Sequence, residues 1–458
     1  MPLTPTQPAR VLGQVDATCV VVGCIIGVGI FFGPAQTAAQ TGSGGLNLLA
    51  WGIGGVIALC GALAFAELGG MYNASGAQYE ILRDAYGPMP AFLYVFCNNT
   101  VISGATVAII AITCAQNLSV AIGQPVVQGW RMLTIASLLI VSLSAANLVG
   151  VRWGSRIQNF TVYAKVLALL AITALAAAMG KADAFAAAPI EAGRERLSPV
   201  AGVMAALVAT MFAYGGWQQV LWMAGEVKNP RRILPRAIVG GVVLVVAVYL
   251  LINWAYLRLL GVEAMGTSKA LAADAVAAVY PGFAQRATGA AVAVSAFGVL
   301  NAQFLSAPRL IYGMARDGRF FSPFARLSPR GIPDAAVYMM TGLSLLLLIA
   351  GGQKGVDLLL TGEMFVDTSF FALTGAALMV LRKKRPGMDR PVRTPGYPLV
   401  PLAFVVGELG ALAGTYIDAE YRRAAYIGAL CIVVAAVVYF LWFRAPLHDD
   451  GATATPTG

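Results

Sequence analysis

Histidine is almost missing from this chain: His448, in the final polar stretch, is the only one among 458 residues. That leaves no imidazole in the body of the chain for acid–base catalysis, haem ligation or a zinc centre. Charge is scarce as well. Asp, Glu, Lys and Arg make up 11% of the chain, against about a quarter in a soluble domain. The six cysteines (Cys19, Cys24, Cys60, Cys97, Cys114, Cys431) form no CxxC pair and lie in or beside apolar stretches, so neither a disulfide framework nor a metal site is expected. Residues 1–20 offer one Arg, a Pro-rich start and no small-residue cleavage site, so the first apolar stretch, not a removable leader, is expected to direct insertion. No nucleophile, base and metal fall together; no catalytic residue and no cofactor are expected.

What is abundant is apolar surface. Hydrophobic residues reach 59% and the mean hydropathy is +0.75. No soluble fold can hide so much, whereas a membrane helix needs about 20 such residues. Apolar runs near 12–40, 46–70, 91–122, 131–149, 157–180, 199–226, 235–260, 287–313, 335–351, 356–381, 398–416 and 423–443 predict an all-α integral membrane protein of about twelve spans. The pI of about 9.4 raises nucleic acid as a partner, but the basic residues are spread over many loops. With the N-terminus inside, Lys and Arg favour the cytoplasmic loops by about two to one, which predicts cytoplasmic termini and the lipid bilayer, not nucleic acid, as the surroundings.

Two spans look interrupted. The first contains Gly27-Val28-Gly29-Ile30-Phe31-Phe32-Gly33-Pro34, and the sixth contains Phe212-Ala213-Tyr214-Gly215-Gly216-Trp217. A helix breaks inside hydrocarbon only where protein or a water-filled cavity takes over the backbone hydrogen bonds. Breaks five spans apart point to a five-plus-five inverted repeat with a substrate site between them. Freed N–H groups can hold a carboxylate and freed carbonyls an ammonium, and an α-amino acid has both. Close packing of small residues is the plain alternative for either break alone. A dinucleotide fingerprint does not fit Gly27-Val28-Gly29, because Gly33 comes one position late and no strand precedes it.

Lys165 stands several residues inside the fifth span, where a charge costs roughly 2.5–3.5 kcal/mol on insertion scales. Either it snorkels to the interface, or it donates to carbonyls freed at the first break, where it would stand in for a sodium ion or carry a proton. Phe212 is a candidate lid over the site, with Tyr214 and Trp217 shaping its wall. Glu363 and Asp367 share a helix face at i, i+4 and are candidates for a proton relay or a cationic substrate. Glu67, Glu226 and Asp317, near span ends, are expected to pair with arginines. Asn301 and Ser295 are candidates for hydrogen bonds into the same cavity.

With these motifs in view, the chain resembles the amino acid-polyamine-organocation superfamily, in particular a bacterial member of the L-type amino acid transporter branch. The resemblance runs from Ile25-Ile26-Gly27-Val28-Gly29-Ile30-Phe31 through Ala66-Glu67-Leu68-Gly69, Ser75-Gly76-Ala77-Gln78-Tyr79, the Phe212 to Trp217 segment, Glu226-Val227-Lys228-Asn229-Pro230 and Phe297-Gly298-Val299-Leu300-Asn301 to Arg390-Pro391-Val392-Arg393-Thr394-Pro395-Gly396-Tyr397-Pro398. It implies a LeuT-like fold: a ten-helix core at 12–381 with repeats at about 12–180 and 199–381, a basic loop at 382–397, two further helices at 398–443, and tails at 1–11 and 444–458. It also implies a substrate carboxylate on the backbone amides of Gly27, Val28 and Gly29. The amino group would go to carbonyls of Ile25, Ile26, Phe212, Ala213 and Gly215. Phe212 would be the gate, and Lys165 would occupy the sodium position.

The implied activity is sodium-independent exchange or uniport of small to medium neutral L-amino acids in a bacterial cytoplasmic membrane. A proton-coupled symporter, with a possible cationic substrate, is the competing reading, and a channel or receptor stands further off. Three departures matter: Val28 replaces a smaller Ser or Ala, Ser103-Gly104-Ala105-Thr106 differs from the eukaryotic third span, and no cysteine lies in 123–130. The last removes the expectation of a disulfide-linked heavy chain.

Overall fold

The computed structural model describes residues 8–187, 198–414 and 419–445; the side chains of 101, 352–364, 419–421, 423 and 424 are left aside. In chain order the helices are α1 (Gln14–Ile25), α2 (Gly33–Thr41), α3 (Gly44–Met71), α4 (Ala77–Tyr86), α5 (Pro88–Cys97), α6 (Ser103–Ala121), α7 (Gly129–Val149), α8 (Val151–Met179), α9 (Pro199–Tyr214), α10 (Gln219–Trp222), α11 (Pro230–Thr267), α12 (Leu271–Ala277), α13 (Pro281–Arg316), α14 (Asp334–Lys384), α15 (Leu399–Gly414) and α16 (Ala419–Val438). Among the described residues there is no strand beyond isolated bridges such as Leu12 with Val227. Among the described residues ten helices are long and apolar enough to cross a membrane, and Gln14–Ile25 and Leu399–Gly414 are shorter apolar helices. The broken first span and the eleventh account for those two, which restores the expected twelve.

The predicted break in the first span is real: α1 ends at Ile25, a short 3₁₀ turn covers Gly29–Phe31, and α2 restarts at Gly33. The sixth is broken likewise, between α9 and α10. The third span continues from α5 to α6 through a π-helical turn at Asn98–Ile102, a feature that tends to mark functional sites. α11 ends its membrane crossing at Gly261, whose φ of 78° stops the helix before the chain resumes.

Asp334–Lys384 is helical over 51 residues, which at 1.5 Å per residue would be about 76 Å if it were one straight helix. Its two ends nonetheless lie on one face. Gly331, just before it, sits against Pro8 and Ala9, and Pro8 also meets Gly225 beside Ser75. At its other end Lys384 donates to the Ala85 carbonyl at 2.8 Å and Arg385 pairs with Asp84 at 2.9 Å. The run is therefore two antiparallel legs, Asp334–Gly351 and Phe365–Lys384, each long enough to cross.

That same face is fastened by ion pairs. Glu67 is fully buried and takes two bonds from Arg382, at 2.9 and 2.6 Å, and one from the Thr394 N–H at 2.7 Å. Arg309 and Glu226, each 1% exposed, pair at 2.9 Å. Asp317 accepts from Arg83 and from the Tyr79 hydroxyl, both at 2.7 Å. Each of the three acids expected to meet an arginine does so. Burial, the leading cause, pushes the Glu80 carboxyl in α4 above the usual glutamate range, with Arg83 opposing it.

Candidate functional site

The site begins with what the two breaks leave open. At the first, Gly27 N–H turns back to the Ile25 carbonyl at 2.8 Å. Among the described residues no backbone carbonyl accepts from the N–H groups of Val28 or Gly29. The carbonyls freed at the end of α1 are answered by side chains from other helices. Tyr249 of α11 donates to Ile25 O at 3.0 Å, and Ser295 of α13 donates to Gly27 O at 3.0 Å. Lys165 of α8 donates to Gly23 O at 3.0 Å and Ile26 O at 2.5 Å. Its side chain is fully buried, so the snorkelling alternative is excluded, and the ammonium ties the fifth span to the first break.

The second break is held against the first by a glycine. Gly216 has φ +106°, and a Cβ there would stand 2.6 Å from the Cys24 carbonyl oxygen. Only glycine supplies both that conformation and that approach. Gly215 N–H caps back onto Phe212 O at 3.1 Å. Gln219, one turn on, accepts from the Cys24 thiol at 3.2 Å and from Ser306 at 2.9 Å, which joins α10 to α1 and α13.

Between the breaks lies a cavity of about 350 Å³, within the range of small-molecule sites. Ile25, Gly27, Val28 and Gly29 line it from the first break, and Phe212, Ala213 and Gly215 from the second. Phe212 is 59% exposed and thus open to the cavity, unlike the packed aromatics around it. Trp217, 2% exposed, forms an aromatic wall with Phe65, Phe371 and Phe404. Val28 and Thr106, from two of the segments that depart from the resemblance, both reach the cavity.

Not every sequence-derived candidate reaches it. Ile26 is buried and outside the lining; its carbonyl serves Lys165. Asn301 is turned away, donating to Gly154 O at 2.9 Å and Gln158 Oε1 at 3.0 Å, where it braces α13 against α8. Ser295 serves the first break, not the cavity wall. Asp367 does line the cavity and takes a bond from Asn98, in the π turn, at 3.4 Å. Glu363 falls in 352–364, outside the described side chains. Sequence reasoning passed over Gln218, Gln303 and Glu408, all in the lining. A lone acid in the apolar run 399–414 was the available signal for Glu408.

The amino acid permease family model matches residues 12–448, nearly the whole chain. The chain belongs to the amino acid permease family. Other permeases of known description match it over comparable lengths. The b(0,+)-type amino acid transporter 1 of Mus musculus is 30% identical over 449 residues, covering 96% of this chain and 89% of that one. The serine/threonine exchanger SteT of Bacillus subtilis (strain 168) is 27% identical, covering 89% and 91%. The large neutral amino acids transporter small subunit 2 of Rattus norvegicus is 32% identical, covering 86% and 74%. The permease match begins two residues before α1 and spans both breaks, so every residue that lines the cavity falls within it.

Proposed function

We propose that this permease exchanges small to medium neutral L-amino acids across a bacterial cytoplasmic membrane by alternating access, without sodium. One observation carries the proposal. A fully buried lysine ammonium occupies the carbonyls of Gly23 and Ile26, directly behind a cavity walled by both broken helices. A fixed ammonium there supplies the positive charge that a bound cation would bring, so no sodium ion is required to satisfy the break. In this reading the substrate carboxylate lies on the N–H groups of Val28 and Gly29, with Gly27 shaping the turn. The amino group faces carbonyls of Ile25, Phe212, Ala213 and Gly215, with Ile26 contributing through Lys165, and Phe212 closes the site.

The relatives described as an exchanger and as amino acid transporters support the activity class. The five-span spacing of the two breaks supports repeats at about 12–180 and 199–381, and the excess of Lys and Arg in the loops of one side supports cytoplasmic termini. With no cysteine in 123–130, a disulfide-linked heavy chain has no anchor at that loop.

Proton-coupled symport is the second reading, and Asp367 in the cavity wall is the observation that favours it. Uptake of labelled alanine and leucine into sodium-free proteoliposomes decides between them. Acceleration only by internal amino acid establishes exchange. Accumulation in empty vesicles under an inward proton gradient establishes symport instead.

A further inference from the structure

Recognition of a zwitterion by main-chain groups requires no acidic side chain, yet two carboxyls line this cavity: Asp367 from the second leg of α14 and Glu408 from α15. Glu408 is 7% exposed. Among the described residues its carboxyl takes part in no hydrogen bond and no ion pair, and the other carboxyl in the cavity lining is that of Asp367. Asp367 has the single long bond from Asn98 at 3.4 Å. The arginines near the buried acids elsewhere are committed: Arg309 to Glu226, Arg382 and Arg390 to Glu67. Lys165 is held by main-chain carbonyls outside the lining.

Two carboxylates facing one cavity repel each other when both are ionised, and each one's burial as a charge is costly unless positive charge neutralises it. The same cavity also holds two amide oxygens, Gln218 Oε1 and Gln303 Oε1, that are buried without a hydrogen-bond donor. Unanswered acceptors and unanswered negative charge call for a group that brings several donors and a positive charge together. Ammonium offers three N–H donors and guanidinium five.

We propose that Asp367 and Glu408 form a cation-accepting subsite of the transport cavity, which takes the ammonium or guanidinium of a dibasic amino acid's side chain. The proposal rests on the reading of this cavity as an amino acid site and adds a substrate class to it. The α-carboxylate and α-amino group stay on the broken helices, and the side chain extends past Phe371 and Phe404 toward α15. Because Glu408 belongs to α15, a helix outside the ten-helix core contributes directly to selectivity.

The test is exchange in proteoliposomes preloaded with leucine, using labelled leucine, alanine, lysine and arginine outside, for the wild-type protein, Glu408→Gln, Glu408→Asp and Asp367→Asn. The readout is the ratio of lysine to leucine initial rates, which a general loss of folded protein does not move. The expected result is wild-type exchange of lysine and arginine, a ratio at least about tenfold lower in Glu408→Gln and Asp367→Asn, a difference of about 1.4 kcal/mol in selectivity, and partial recovery in Glu408→Asp. Wild-type exchange of leucine or alanine with none of lysine or arginine would overturn the subsite while leaving the transport reading standing. An unchanged ratio in both neutralised variants, with the pH profile of leucine exchange displaced, would overturn it in favour of a proton held by the two acids. Exchange of no amino acid at all by monodisperse wild-type protein would overturn both.

Discussion

A fully buried ammonium has to find its solvation inside the protein, and Lys165 finds it in two carbonyls that the first break sets free. Replacing it by alanine leaves the Gly23 carbonyl without that donor and the Ile26 carbonyl with only the long bond from Ser295 at 3.4 Å, a loss of about 1–3 kcal/mol for the stranded acceptor. Lys165→Ala is expected to lose at least about tenfold in exchange rate, or to acquire a changed pH dependence; unaltered kinetics in proteoliposomes would remove Lys165 from the mechanism. Arg309 is a different case, since it neutralises a carboxylate that is itself 1% exposed. Arg309→Ala strands Glu226, a loss of about 3–5 kcal/mol that a melting curve in detergent should register as a clear drop. Lys165 was legible in the sequence because a solitary charge in an apolar run is conspicuous. Glu408 carries the same signal but sits in the eleventh span, where the broken-helix logic does not direct attention. Asn301 and Ile26 were misplaced for another reason: side-chain direction around a helix axis depends on how neighbouring helices pack, and sequence spacing alone leaves that rotation open.

At the scale of elements, the breaks were readable because clustered glycine and proline cannot sustain a membrane helix, and both occur where they were expected. Their mutual docking was not readable. It depends on Gly216, with φ +106° and no room for a Cβ beside the Cys24 carbonyl. Gly216→Ala forces the two broken helices apart, and transport should be abolished or the protein poorly folded. Gly33→Ala, where a Cβ would meet nothing within 4 Å, should express and fold like the wild type in size-exclusion chromatography. Equal behaviour of the two variants would contradict the docking. In α4, burial raises the proton affinity of Glu80 in the folded protein above that of the unfolded chain. Its charge therefore costs stability at pH above the raised pKa, and that cost vanishes as pH falls through it. Glu80→Gln should raise the melting temperature by about a degree or two at neutral to alkaline pH and lose that advantage in acid. A constant difference across pH would show that Glu80 is not the titrating group.

For the whole molecule, scarce charge and abundant apolar residues dictate lipid as the solvent, and the fold follows from satisfying backbone groups within it. What composition leaves open is which groups remain unsatisfied once the helices are packed, and here those are N–H groups at the first break and acceptors around the cavity. Both ends of an α-amino acid answer that arrangement. The most direct measurement is competition against labelled leucine exchange by leucine, by leucinamide, which lacks the carboxylate, and by 4-methylpentanoate, which lacks the amine. Inhibition by leucine alone is the predicted result; inhibition of comparable strength by either analogue would contradict recognition of both groups at the broken helices.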